Sequence, residues 1–241
     1  MIDLRYESPD ISGLDVLALA AHPHNVEQTC GGTLLKMAEA GHSTGILDLT
    51  MGDMSSRGLP EQRLEESMVA SKLLHAAWRG NCRFPDARLD NTIASRMTLA
   101  TILRTLRPQT LILPYWESRH PDHYRTSELG YEAAFLSGLQ KLDEDTPPHR
   151  PFKILYSSIY AHNVAPSFVV DITDQFERRM EALFVYQSIY GEAGEKAAIR
   201  DRLATKASFY GSLIGVRYGE PFVVKETLAI NDVVTMGSPT F

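Results

Sequence analysis

Two cysteines in 241 residues, Cys30 and Cys82, are too few for a disulfide framework and too far apart for a zinc ribbon. A reducing compartment is the one such a chain fits. Long apolar runs are also missing. The first, Val16 to Ala21, is far shorter than the roughly 20 residues of a spanning helix and follows a polar lead-in, so neither a signal peptide nor a membrane span is expected. A cytoplasmic protein with no membrane partner is the expectation. Basic excess is absent: 24 Lys and Arg stand against 30 Asp and Glu, giving a formal charge of −6, and Arg178-Arg179 is the longest basic run. A nucleic-acid partner normally requires a clustered basic face, and none is expected here. The chain carries no Gly-X-X-X-X-Gly-Lys phosphate loop and no Gly-X-Ser-X-Gly nucleophile elbow, and Gly31-Gly32 lacks the spacing of a dinucleotide fingerprint. Internal repeats and low-complexity linkers are lacking too.

What remains is an ordinary globular composition, 44% hydrophobic and 22% charged, long enough to bury a full core. Val16–Ala21 and Thr110–Tyr115 lack the alternation of half-exposed strands and predict strands covered on both faces. Val26, Cys30, Leu34 and Ala38 predict one helix from Val26 to Ala40 closed by Gly41, with Cys30 as a small core residue. Thr44 to Leu49 then completes a β-α-β unit. Further helices are expected around Leu64, Met68 and Leu74, and through Leu99, Ile102, Leu103 and Leu106. Another from Tyr124 would turn Tyr131, Ala134, Phe135 and Leu139 inward and end at Asp143 to Pro148. Cys82-Arg83-Phe84 reads weakly as a strand, Ile154–Tyr156 and Phe168–Ile172 as further strands, and 174–190 and 195–210 as helical. The alternation of strand and helix gives an α/β fold: a single domain over residues 1–241 with a mostly parallel sheet and an elaborated C-terminal third.

Chemistry concentrates in two clusters, each placed after a buried strand: His22-Pro23-His24-Asn25-Val26-Glu27 and Arg119-His120-Pro121-Asp122-His123. Strand ends are where parallel sheets build their sites. Imidazole and carboxylate are donors that zinc prefers, and His22 and His123 are plausible ligands from neighbouring strands. His120 and Asp122 are the residue types for oxyanion stabilisation and for orienting an imidazole, or equally a loop-stabilising pair. The glycine-bracketed loop Thr50 to Gly58 is placed to line a pocket. Tyr115 and Trp116 either wall that pocket or pack. Glu27, in a first helical turn, serves as a favourable helix-end charge or supports the site from behind.

These residues resemble the LmbE-like (GlcNAc-PI de-N-acetylase) family of zinc-dependent deacetylases, most of all its bacillithiol-biosynthesis branch, which removes acetate from N-acetylglucosaminyl malate. The family's second motif, Arg-His-Pro-Asp-His, stands at Arg119 to His123. Similar segments run in order along the chain, including Cys30-Gly31-Gly32-Thr33-Leu34, Ser56-Arg57-Gly58, Arg63 with Glu66, Pro147 to Pro151, Phe168 to Asp171, Tyr186-Gln187-Ser188 and Tyr218-Gly219-Glu220. The resemblance implies a Rossmann-like fold, zinc or another divalent metal, and a small-molecule N-acetylated amino-sugar conjugate as substrate. It also implies a homo-oligomer. Position by position it assigns His22, Asn25 and His123 to the metal, and His24, His120 and Asp122 to catalysis. Arg57 matches a substrate-binding arginine, and Glu27 is grouped with it. The first motif departs from the family's His-Pro-Asp-Asp: His24 and Asn25 replace both carboxylates. Asn25 is a neutral, weak competitor for zinc. His24 admits three roles: base, replacement ligand in a His22, His24, His123 set, or bystander. Two functions therefore stand, a hydrolase with a modified and slowed site, or a silent relative that binds a sugar or a partner subunit.

Overall fold

The computed structural model describes residues 13–142, 146–191, 193–232 and 237. The expected lead-in and the acidic stretch at 143–145 lie outside the described residues. In chain order the elements are β1 (Val16–Ala20), α1 (Asn25–Thr29), α2 (Gly31–Glu39), β2 (Thr44–Thr50), α3 (Pro60–Leu73), β3 (Trp78–Phe84), α4 (Ile93–Leu106), β4 (Thr110–Pro114) and α5 (Pro121–Ser137). There follow β5 (Lys153–Ser157), β6 (Phe168–Asp171), α6 (Phe176–Phe184), α7 (Gln187–Tyr190), α8 (Ala193–Ser212) and β7 (Gly219–Val223). They form one α/β domain on a seven-stranded sheet ordered β3-β2-β1-β4-β5-β7-β6. The first five strands are parallel and β7 is antiparallel to both neighbours. Strand β1 explains the layering: Val16, Ala18 and Ala20 enter the core on one sheet face, and Leu17, Leu19 and Ala21 enter the core on the other. Strand order reverses between β1 and β4, so a crevice opens at their carboxyl ends, where both histidine clusters emerge. No helix among the described residues is long and apolar enough to cross a membrane.

The helix expected over Val26–Ala40 is two. Cys30 breaks it with φ −147°, and a new helix starts at Gly31. Glu220 of β7 is the cause: its buried carboxylate accepts from the Gly32 and Thr33 amides at 3.0 and 2.7 Å and from the Thr33 hydroxyl at 2.6 Å. Negative charge satisfies the orphan N–H groups of a helix start. Arg179 of α6 pairs with Glu220 at 3.3 Å and donates to the carbonyls of Glu27 and Gln28, which the break leaves open. A Cβ at Gly32 would stand 2.9 Å from Ile172 and 3.0 Å from Glu220, so glycine is required for this approach.

The α5 expectation holds at Ala134 and fails in the facing of the larger side chains. Tyr131, Phe135 and Leu139 are exposed, and the buried face is Leu129, Gly130, Ala133, Ala134 and Ser137. A Cβ at Gly130 would lie 2.5 Å from Leu113, so the helix packs too closely on the sheet for aromatics on that side. Strand β7, not foreseen, hides behind its Gly219 and Pro221. Proline lacks the ladder N–H, yet its carbonyl still accepts from Ser158. Cys30 and Cys82 are buried and free, and burial pushes both thiols up, as suits core residues.

Beneath the crevice lies a buried charge network. Arg79 of β3 donates to Asp48 of β2 at 2.8 and 3.1 Å and to Glu27 of α1 at 2.6 Å, with the Ser67 carbonyl and Ser71 hydroxyl of α3 at 3.3 and 3.4 Å. Tyr186 donates to Glu27 at 3.0 Å. Burial alone would lower the Arg79 pKa, but Asp48 and Glu27 hold it well above the usual range and fully charged. This accounts for the buried Ser67 and Ser71 of α3; its other buried polar residues, Arg63 and Glu66, pair with the Gly52 and Arg57 carbonyls and with Ser188.

Replacing Arg79 by Met leaves two buried carboxylates without a counterion. A loss of about 3–5 kcal/mol is expected, read as a drop in the urea midpoint. Gly211→Ala should also destabilise, by about 1–3 kcal/mol in the same measurement. Its Cβ would meet backbone, 2.7 Å from the Val216 carbonyl oxygen, and this outweighs alanine's better helix propensity.

Candidate metal and catalytic site

The carboxyl ends of β1, β2, β3 and β4 surround a cavity of about 450 Å³, within the size range of small-molecule sites. His22, His24, Asn25, His120 and His123 all line it, so the two clusters meet. The loop after β2 contributes Gly52, Met54, Ser55 and Ser56, as its glycines and polarity suggested.

His22 is the centre. Its Nε2 lies 2.9 Å from Asp86 Oδ1 and 3.4 Å from Asp122 Oδ2. On the other edge of the ring, Nδ1 lies 3.2 Å from Asn25 Oδ1, which also accepts from the His22 backbone N–H at 3.0 Å. Burial would lower the His22 pKa, but the hydrogen bond and charge of Asp86, then the charge of Asp122, raise it overall. Burial would raise the Asp86 carboxyl, but His22 and the amides of Met54 and Ala87 bring it far below the usual range.

The other imidazoles are held neutral. His123 is pushed down to about 3 by burial and then by His22 and His120. His120, exposed and stacked on His123 with centroids 4.8 Å apart, is lowered by burial and then by His22. Burial, then the charges of His22 and Arg63, hold His24 well below the imidazole range. His24 caps α1 with φ 84°, a conformation that histidine, asparagine and aspartate enter more readily than other side chains. Its ring meets Tyr186 and Tyr190 edge-on at 5.9 and 5.8 Å, and its Nδ1 is buried without a hydrogen-bond partner among the described residues.

Several expected roles need correction in placement. Glu27 is fully buried in the Arg79 network and does not reach the cavity, because its carboxylate neutralises that guanidinium. Arg57 turns its guanidinium to Glu195 at 2.6 Å and the Ile189 carbonyl at 3.2 Å, beside the loop residues that line the cavity. The Asp122 carboxylate does not orient His120. It accepts from the Ala87 and Leu89 amides at 2.8 and 3.4 Å and faces His22, while the Asp122 backbone N–H donates to His120 Nδ1 at 3.2 Å. Trp116 packs on Tyr156 at 4.8 Å, and Tyr115 borders a smaller recess behind His123. His22, His24 and His123 do not form a compact three-donor group among the described residues.

Asp86 was missed from sequence. It follows β3 and Pro85, at the same end of the sheet as both clusters, and the weak strand signal at Cys82–Phe84 was the clue. Ala87, at φ 58°, aims one amide at both Asp86 and Asp122. Such positive φ in a non-glycine residue beside a cavity is the kind of strain that functional sites carry.

Does a divalent ion fit? His22, His120 and Asp122 offer donor atoms all within 4.8 Å of one another. Nitrogen and carboxylate oxygen in that mixture suit zinc and its neighbours in softness, so the donor set fits.

Comparison with known proteins agrees with this fold. Residues 17–134 match the GlcNAc-PI de-N-acetylase (PIG-L) family. The solved structure of the conserved protein TT1542 from Thermus thermophilus is 38% identical, with a TM-score of 0.83, covering 90% of this chain and 98% of that one. An N,N'-diacetylchitobiose deacetylase from Pyrococcus horikoshii, solved with an inhibitor, is 28% identical with a TM-score of 0.79, over 92% of this chain and 86% of its own. The diacetylchitobiose deacetylase of Thermococcus kodakarensis is 27% identical over 234 residues, 91% of this chain and 86% of that protein. With the family model matching residues 17–134, the second histidine motif intact and similarity running almost end to end, the chain belongs to the GlcNAc-PI de-N-acetylase (PIG-L, LmbE-like) family.

Proposed function

We propose that the protein is a metal-dependent amide hydrolase that releases acetate from an N-acetylglucosaminyl conjugate. The observation that carries this reading is the meeting of both His-Pro motifs around His22 Nε2 on the wall of one cavity. The names of the relatives, deacetylases of diacetylchitobiose and of an acetamido-glucopyranoside of inositol, support the substrate class. His22 and the second cluster would hold the ion. When bound, it supplies Lewis acidity toward an amide carbonyl and makes water acidic enough to attack at neutral pH.

The chain's own groups do the rest. His120 Nδ1 accepts the Asp122 amide proton, so in the neutral ring the hydrogen sits on Nε2, ready to donate to oxygen that gains charge. His24, held neutral with an unpartnered Nδ1, is the proton acceptor in place of the family's aspartate. Ser55, Ser56 and Arg63 offer polar groups to sugar hydroxyls, and Met54 and Ile189 an apolar patch. The malate conjugate of the bacillithiol branch is the aglycone we favour. Exposed Phe152 and Phe135, 83% and 56% accessible beside a groove of about 240 Å³, accord with a homo-oligomer.

Acetate release from N-acetylglucosaminyl malate and from N,N'-diacetylchitobiose tests the proposal. Turnover should vanish on chelation and return with zinc. His24→Ala should lower it by about 10²–10⁴-fold, the scale of a general base. A metal-replete protein that binds the sugar but releases no acetate would show the second reading, a silent sugar-binding relative lacking carboxylates at positions 24 and 25, to be right.

A further inference from the structure

The amide of Asn25 has only one orientation that its surroundings accept. The atom facing the His22 backbone N–H at 3.0 Å must be the carbonyl oxygen, because the NH₂ group would set donor against donor. That same oxygen lies 3.2 Å from His22 Nδ1 and can only accept, so Nδ1 carries one hydrogen; Nε2 shares the ring's second hydrogen with Asp86 Oδ1 at 2.9 Å, and an entering ion would displace that hydrogen and make Nε2 the ring's electron-pair donor. Asn25 Oδ1 and His22 Nε2 therefore face different ways. An ion seated on Nε2 stands across the ring from the oxygen at position 25.

The carboxylates are on the Nε2 side. Asp122 Oδ2 lies 3.4 Å away, and two ligands bound to one zinc at about 2.0–2.1 Å in a tetrahedron stand roughly 3.3 Å apart. Asp122 is buried at 1% exposure and held by the amides of Ala87 and Leu89, so its carboxylate is already positioned. Asp86 Oδ1, at 2.9 Å from the same nitrogen, adds a second negative charge, which offsets the charge missing at position 25.

We infer that Asp122, not Asn25, supplies the carboxylate ligand of the metal centre in this chain. Asn25 is instead the outer partner that fixes the tautomer of His22, the role second-layer groups play behind metal-bound histidines. His123, stacked on His120 and lining the same cavity, completes the protein's donors. This inference rests on reading the cavity as a metal centre. It departs from the pattern implied by the family's first motif, in which position 25 is the ligand.

The test is the wild-type protein crystallised with zinc and with cobalt, the ion located by anomalous scattering. The expected map places Asp122 Oδ2 at about 2.0–2.2 Å from the ion and keeps Asn25 Oδ1 on His22 Nδ1. An ion on Asn25 Oδ1 and away from Asp122, or no ion at His22 under saturating metal, overturns it. In solution, cobalt absorption titrations provide a second reading on variants whose folding is checked by circular dichroism. Asp122→Asn should lose roughly 100-fold or more in affinity and change the cobalt spectrum, whereas Asn25→Ala should lose about 10–100-fold and leave the spectral shape unchanged. The reverse pattern overturns the inference. Acetate release is scored separately: an ion on Asp122 without turnover supports this assignment and overturns the hydrolase reading.

Discussion

A single buried guanidinium, that of Arg79, ties together the parts of the molecule that must not move. It joins β2 through Asp48, α1 through Glu27, and α3 through Ser67 and Ser71, and Glu27 brings in Tyr186 from the segment between α6 and α7. Buried ion pairs contribute little net stability, since desolvation cancels most of the Coulombic gain. What they do impose is geometry: each charged group must find its partner, and an alternative packing would leave one unpaired. The turn from His22 to Asn25 sits directly above this network. A second buried pair, Arg179 with Glu220, fixes the break between α1 and α2 from the C-terminal third of the chain. The elaborated third thus completes the support of the N-terminal motif.

Above that support, charge is divided sharply. His22 alone among the cavity imidazoles is flanked by two close carboxylates, and it alone is shifted toward the cationic form. His24, His120 and His123 are shifted the other way by burial and by His22 itself. The outcome is one imidazole paired with two carboxylates and ringed by neutral rings that can donate or accept hydrogen bonds. That arrangement is available because Asp86 and Asp122 share the amide of Ala87 and approach the same nitrogen, one from the segment after β3 and the other from the first turn of α5.

Much of this was legible in the residues. The parallel strands β1 and β4 announced themselves as unbroken apolar runs, since both of their faces are covered, and the two histidine clusters followed from them. Helix α4 matched its periodicity because Leu99, Ile102, Leu103 and Leu106 all enter one hydrophobic core, with Arg104 buried beside them. Legibility failed where burial is not apolar. Both α3 and α5 were foreseen as helices, but the inward positions of α3 are largely charged and hydroxylated and those of α5 are small, so their large hydrophobics misstate which face is buried. In β7 the glycine and proline read as breakers, although an antiparallel strand can lose one N–H and still pair on both sides. Asp86 was invisible for a further reason. Nothing in the spacing of one aspartate after a weak strand shows that its partner lies 64 residues earlier in the chain.

The left-handed backbone at His24 has a wider implication. At φ 84° most side chains would be strained, but histidine, asparagine and aspartate are the ones that accept it with least penalty. Glycine apart, the fold therefore offers a narrow alphabet at this position, and its letters are proton-handling or oxygen-donating groups. A lineage can exchange one for another by single substitutions without rebuilding the turn. Drift at this position consequently changes the reagent and leaves the scaffold alone, so a protein of this shape can wander away from the ancestral chemistry and back again while remaining folded throughout.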